Sequence, residues 1–213
     1  MRRVVCTGLL ALLVVVLPVL ARADTIDLTN EFGSVTILNS GITSVGSQLR
    51  SVTVDGKNIG SGHAMGSVTF WTGAFIPTGP TSTIWTGGEF TGGAASDFTV
   101  KGKWGPLKAD KGTIFSGQFV GPVDWTLVAG GKFFHEYLLT GEIKGQLWNG
   151  HMATGSVSEE IYTFWNQEEK DHKGSIHLGS TVINSTPEPG TLGLLGSGLL
   201  AMAGALRRKI SRV

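Results

Sequence analysis

Leu147-Trp148-Asn149-Gly150-His151-Met152 is the stretch on which the reading of this chain turns. Two short apolar pieces meet at Asn-Gly, the pair that best tolerates the positive φ of a two-residue hairpin turn. That turn pairs Leu147 with Met152 on one face of the hairpin and Trp148 with His151 on the other. Similar signals recur upstream: Asp55-Gly56 follows Val52 and Val54, and Gly130-Gly131 separates Trp125-Thr126-Leu127 from Phe133-Phe134. Between them apolar and polar residues alternate, and no long segment repeats every 3.6 residues. Phe115-Ser116-Gly117-Gln118-Phe119-Val120-Gly121 is echoed by Leu139-Thr140-Gly141-Glu142-Ile143-Lys144-Gly145. No fixed period links such fragments, which argues against a solenoid or propeller, and glycines inside strands mark bends and bulges. The expected fold is an all-β antiparallel β-sandwich of about eight to ten strands, with an up-and-down β-barrel as the alternative.

Outside this domain the two ends read as addresses. Arg2 and Arg3 precede an apolar stretch from Val4 to Leu20 and then Ala21-Arg22-Ala23, the pattern of a signal peptide cleaved after Ala23. Cys6 would leave with it, so the mature chain is expected to carry no thiol chemistry. At the other end Thr191 to Leu206 form an apolar run of 16 residues, about 24 Å as a helix against a hydrocarbon core of about 30 Å. Arg207, Arg208, Lys209 and Arg212 follow and can snorkel to the headgroups at the membrane edge. Gly193, Ser197, Ala201 and Ala205 form a small-residue stripe along this span, suited to close helix approach. Basic residues at both extremes favour both ends in the cytoplasm and everything between exported.

Pro187-Glu188-Pro189, the Gly- and Leu-rich span and the basic end together resemble the PEP-CTERM sorting segment of bacterial proteins handled by exosortase. The resemblance implies a Gram-negative-type host that makes exopolysaccharide, export through the secretion machinery, and transient anchoring in the inner membrane. It also implies recognition of the Pro187 to Pro189 motif by an exosortase-type membrane enzyme, then release to the cell surface or beyond. Residues 119 to 147, with Pro122-Val123-Asp124-Trp125 and repeated Leu-Thr-Gly, resemble uncharacterised exported passengers with the same tail. Neither resemblance implies an activity. The expected division is residues 1–23 signal peptide, 24–185 exported β domain and 186–213 sorting segment.

Seven of the 17 Lys and Arg lie outside residues 24–189 while all 16 Asp and Glu lie within them, so ten cations against 16 anions give the exported part, taken to Pro189 at most, a charge of −6. Nucleic acid is therefore an unexpected partner, because its phosphates demand a basic face. No cofactor and no metal site is expected. His172 and His177 with Glu168, Glu169 and Asp171 supply donors, but their spacing fits no established ligand pattern. Glu159 and Glu160 are the obvious carboxylate pair for glycosidic acid/base work, yet neighbours on a strand point to opposite faces and cannot flank one bond. A distant partner such as Glu136 or Glu142 leaves a polysaccharide-acting hydrolase or lyase as the third reading. No catalytic residue is assigned, and the chain is read as a non-enzyme. Most of Trp71, Trp85, Trp104, Trp125, Trp148 and Trp165 are expected to be core anchors. Trp148 is the exception, because its row also carries Glu142, Lys144 and Gln146. With His151 it is the candidate contact for exopolysaccharide. The leading expectation is thus a structural or adhesive surface protein, with a carbohydrate-binding module as the alternative.

Overall fold

The computed structural model describes residues 24–104, 107–164 and 172–186, the side chains of 64, 103–104 and 107–111 excepted, and five positions of the C-terminal segment. Those five, residues 196, 198, 199, 202 and 203, are helical. Among the described residues no helix is long and apolar enough to cross a membrane. The expected signal peptide, its cleavage residues Ala21 and Ala23, the Pro187 to Pro189 motif and the basic cluster all lie outside the described residues, as does most of the expected span.

Asp24–Ser185 forms one compact unit. Its described residues hold ten strands, β1 Thr25–Leu38, β2 Gly41–Val54, β3 Lys57–Trp71, β4 Phe75–Ile76, β5 Gly88–Phe90, β6 Asp97–Trp104, β7 Leu107–Gly130, β8 Phe134–Leu147, β9 Met152–Phe164 and β10 Lys173–Ser185. Eight of them, β1, β2, β3, β6, β7, β8, β9 and β10, pair antiparallel in that order, and β10 pairs back onto β1. The fold is therefore a closed antiparallel barrel, and the expected sandwich gives way to its alternative. The physical reason lies in strand length and curvature. Most barrel strands run 13 to 15 residues and carry bulges, as at Phe32 (φ 64) and Gly33 (φ 89) in β1. Such bends let one sheet coil until its two edges meet, which a pair of flat stacked sheets would not allow.

Strand β7 is the longest at 24 residues and changes neighbours along its length. Up to Gly117 it pairs with β6, and at Val123 to Trp125 it pairs with the short β5. The change falls beside Gly121 (φ 75) and Pro122, where a positive φ and a missing N–H interrupt the ladder to β8. The β4–β5 hairpin and the segment between them cover the mouth at which β7 ends and β8 begins. Ile84 is buried there, Trp125 Nε1 donates to Ile84 O at 2.8 Å, and the Tyr137 hydroxyl donates to Trp85 O at 3.1 Å.

Alternation fills the lumen. In β9, Ala153, Val157, Glu159, Ile161 and Thr163 point inward while Thr154, Ser156, Ser158, Glu160 and Tyr162 point outward. Phe70, Phe98, Phe115 and Phe119 make an aromatic wall, and Trp125 stacks on Tyr137 at 4.5 Å and 8°. The echoed glycines now have a purpose. Gly117 pairs with Gly145 across β7 and β8, and a Cβ on Gly145 would strike the Phe115 ring, as one on Gly141 would strike Phe119.

The hairpins agree in place and differ in detail. Asp55-Gly56 is a two-residue turn with both residues at positive φ, joining Val54 to Lys57. At Gly130-Gly131 the strands pair further out, Gly130 facing His135 and Gly131 N donating to Phe134 O, so the tip is Lys132-Phe133. At Asn149-Gly150 the loop has three residues. Gly150 N donates to Leu147 O, Leu147 N to His151 O, and Gln146 faces Met152. One αL glycine (φ 85) closing a turn gives this longer loop and shifts the expected register by one.

Candidate functional site

The barrel separates the two adjacent carboxylates as their alternation demands. Glu159 is fully buried in the lumen, and Glu160 lies on the outer face, 3.5 Å from His177 Nδ1. Around Glu159 the sequence builds a small polar cluster. Asn30 Nδ2 donates to Glu159 Oε2 at 2.9 Å and to Ser47 Oγ at 2.8 Å. Gly179 on β10 leaves the space, because a Cβ there would collide with both the carboxylate and the Asn30 amide. Burial pushes the Glu159 carboxyl up to about 8, outweighing the Asn30 hydrogen bond that pulls the other way. It is therefore a neutral acid at pH 7, with an O–H to give. Asn30 Oδ1, Ser44 Oγ and Thr181 Oγ1 are buried atoms without a hydrogen-bond partner in the structure. The lumen carboxyl is sealed from solvent, and among the described residues no other carboxylate is buried with it.

The outward side of β8, β9 and β10 is of a different character. Cross-strand register sets Glu136 beside Tyr162, Leu138 beside Glu160, Thr140 beside Ser158 and Glu142 beside Ser156. On the other flank of β9, Ser158 faces Ser180, Ser156 faces Val182 and Thr154 faces Asn184. At the covered mouth this face is aromatic: Tyr162 stacks on His177 at 4.6 Å and 7° and tilts against Phe134 at 6.1 Å. Phe134 is 44% exposed and Phe164 56%. Midway the small side chains of Ser156, Ser158 and Ser180 lie lower than Glu142 and Asp124, leaving an open trough of about 440 Å³. A second hollow continues it toward Lys144, Thr154 and Asn184. The Tyr162 phenol is pushed above its ordinary value, first by lost hydration and then by the Glu136 and Glu160 carboxylates, and it donates to Glu136.

The expected site residues fall elsewhere. Trp148 is 38% exposed in the turn that ends the outward row of β8, its N–H held by Ile114 O. The register does not pair it with His151, whose N–H donates to Asn149 Oδ1. His172 and His177 part company, since His172 stacks on Trp85 at 5.7 Å while His177 lies on the outer face against Tyr162. Glu168, Glu169 and Asp171 are outside the described residues, and among those described no group of three or more ligand-type residues could hold a metal. Of the tryptophans with described side chains only Trp125 is fully in the core. Trp85 packs partly against it, Trp71 and Trp148 are exposed, and the side chains of Trp104 and Trp165 lie outside the described residues. Phe70, Phe98, Phe115 and Phe119 fill the lumen beside Trp125. The aromatic row was within reach of the sequence, because once Glu159 faces in, Glu160, Tyr162 and Phe164 must share the outer face.

Comparison with known proteins bears on the tail. Residues 185–209 match the PEP-CTERM protein-sorting motif. No curated protein and no solved structure matches the chain.

Proposed function

We propose that this chain, which carries a PEP-CTERM sorting motif at residues 185–209, works outside the cell as a non-catalytic surface or matrix protein with a structural or adhesive role. The motif supports sorting by an exosortase, and with it membrane-associated processing followed by release to the surface. The observation that carries the adhesive reading is the division of labour in the barrel. Its lumen is filled with side chains, while the outer side of β8 to β10 is a continuous, shallow face of hydroxyls, carboxylates and exposed rings. Such a face suits contact with a large partner better than turnover of a small one. A carbohydrate-binding role is the second reading, favoured by the row Phe134, Tyr162, His177 and Phe164.

The test is fractionation of an exosortase-bearing host expressing the full chain. A shortened form at the surface or in the matrix is expected. Pro187→Ala with Pro189→Ala should leave a longer form in the membrane fraction. Equal distribution of both forms would refute the sorting step, and a freely soluble wild-type protein with no surface or matrix fraction would refute the adhesive role.

A further inference from the structure

We propose that the outer face of β8, β9 and β10 binds an extended polysaccharide free of acidic groups, lying along β9. The inference deepens the adhesive reading and rests on it.

Three observations converge. The first is shape: Thr154 to Phe164 on β9 span about 34 Å, and the trough over Ser156, Ser158 and Ser180 runs on into the hollow beside Thr154 and Asn184. The trough is lined from Pro122 and Asp124 on β7 across to Ser180 and Val182 on β10, and with the hollow it follows β9 from Ser158 to Thr154; a shallow depression this open fits a chain better than a compact ligand. The second is the pairing of ring faces with acceptors. Sugar rings present C–H faces that pack on aromatics and equatorial hydroxyls that need acceptors. Phe164 and Phe134 offer exposed rings; Glu136 stands two residues from Phe134, Glu160 four from Phe164, and Glu142 lies further along beside Ser156 at the trough. The Tyr162–His177 stack, braced by Phe134 and Glu136, holds its part of the row in one geometry, which lowers the ordering cost of binding. The third is charge. Among the described side chains facing outward from β7 to β10, Asp124, Glu136, Glu142 and Glu160 stand against Lys144 and Lys173. An acidic polymer would be repelled, whereas hydroxyl groups would find charged acceptors.

Competing occupants fit less well. Charges are depleted from the cores of protein interfaces, but here they are interleaved with the rings. A second copy would set acid against acid. Strand addition is blocked because the closed barrel leaves β8, β9 and β10 paired on both sides.

The experiment uses the exported protein in affinity electrophoresis through gels containing hydroxyethylcellulose, glucomannan, xylan or alginate. Retardation is expected in at least one of the three neutral gels and not in alginate. Phe164→Ala should weaken it roughly tenfold, the order expected for loss of a ring contact, and Ser180→Trp, which fills the trough, should abolish it. Both sites face solvent, so melting temperatures should stay at the wild-type value. Retardation by alginate alone, retardation indifferent to both variants, or concentration-dependent dimers that Phe164→Ala disperses would each overturn the proposal. If no neutral polymer retards the protein while Phe164→Ala still frees it from the host matrix, the polysaccharide class falls and the adhesive reading stands. If the matrix never held it, both fall.

Discussion

Glu159 shows how one residue can tie stability to pH. Its carboxyl ionises near the ordinary value of 4.5 in the unfolded chain and near 8 in the barrel. Between those values the folded state binds the extra proton, so stability is full below about pH 4.5 and falls as pH rises toward 8. The shift corresponds to roughly 5 kcal/mol at most. Glu159→Gln keeps an acceptor for Asn30 and cannot ionise, so it should match wild type near pH 5 and melt well above it at pH 8. Thermal denaturation across that range checks this, and parallel curves for the two proteins would refute it. That Glu159 and Glu160 face opposite ways was legible in the sequence. Which of them enters the lumen was not, because neither composition nor spacing reveals that Asn30, 129 positions away, supplies its partner.

At the scale of elements, turns and alternation carried most of the information that could be read in advance. Asp55-Gly56 announced its type because both positions tolerate positive φ. Asn149-Gly150 announced a turn but not its length, since a glycine at φ 85 serves a three-residue loop as well as a two-residue one. The Phe-Ser-Gly echo was visible as a pattern and opaque as a cause. Its explanation requires β7 and β8 to be neighbours, with Gly145 seated against Phe115 and Gly141 against Phe119 from across the ladder, and Gly117 against Gly145 itself. Gly145→Val should therefore cost about 3 kcal/mol or more, by overpacking Phe115 and parting the strands. Gly150→Ala, in open turn space, should cost only about 1 kcal/mol from its positive φ. Chemical denaturation of the two variants would rank them, and equal losses would contradict the account of the echo.

For the whole molecule, the choice between sandwich and barrel rested on one pairing that local sequence does not encode. Thr25 meets Asn184, Asp24 N donates to Ser185 Oγ, and Ser185 N donates to Asp24 O. With its ends this close, a circular permutant should fold: a short Gly-Ser linker joins Ser185 to Asp24 and new termini open at Lys132-Phe133. Circular dichroism and a cooperative melt would show it, whereas an unfolded permutant would deny that the closing pair forms. The same closure bears on tension. In sequence the tail follows directly on β10, which is bonded along its length to β1 on one side and β9 on the other. A pull transmitted through that tail meets two ladders loaded in shear, whose hydrogen bonds must fail together. An edge strand peeled from a sheet would lose them singly. Closing the ring thus makes the C-terminal strand of the barrel mechanically resistant, an advantage for a protein whose proposed task is to hold on.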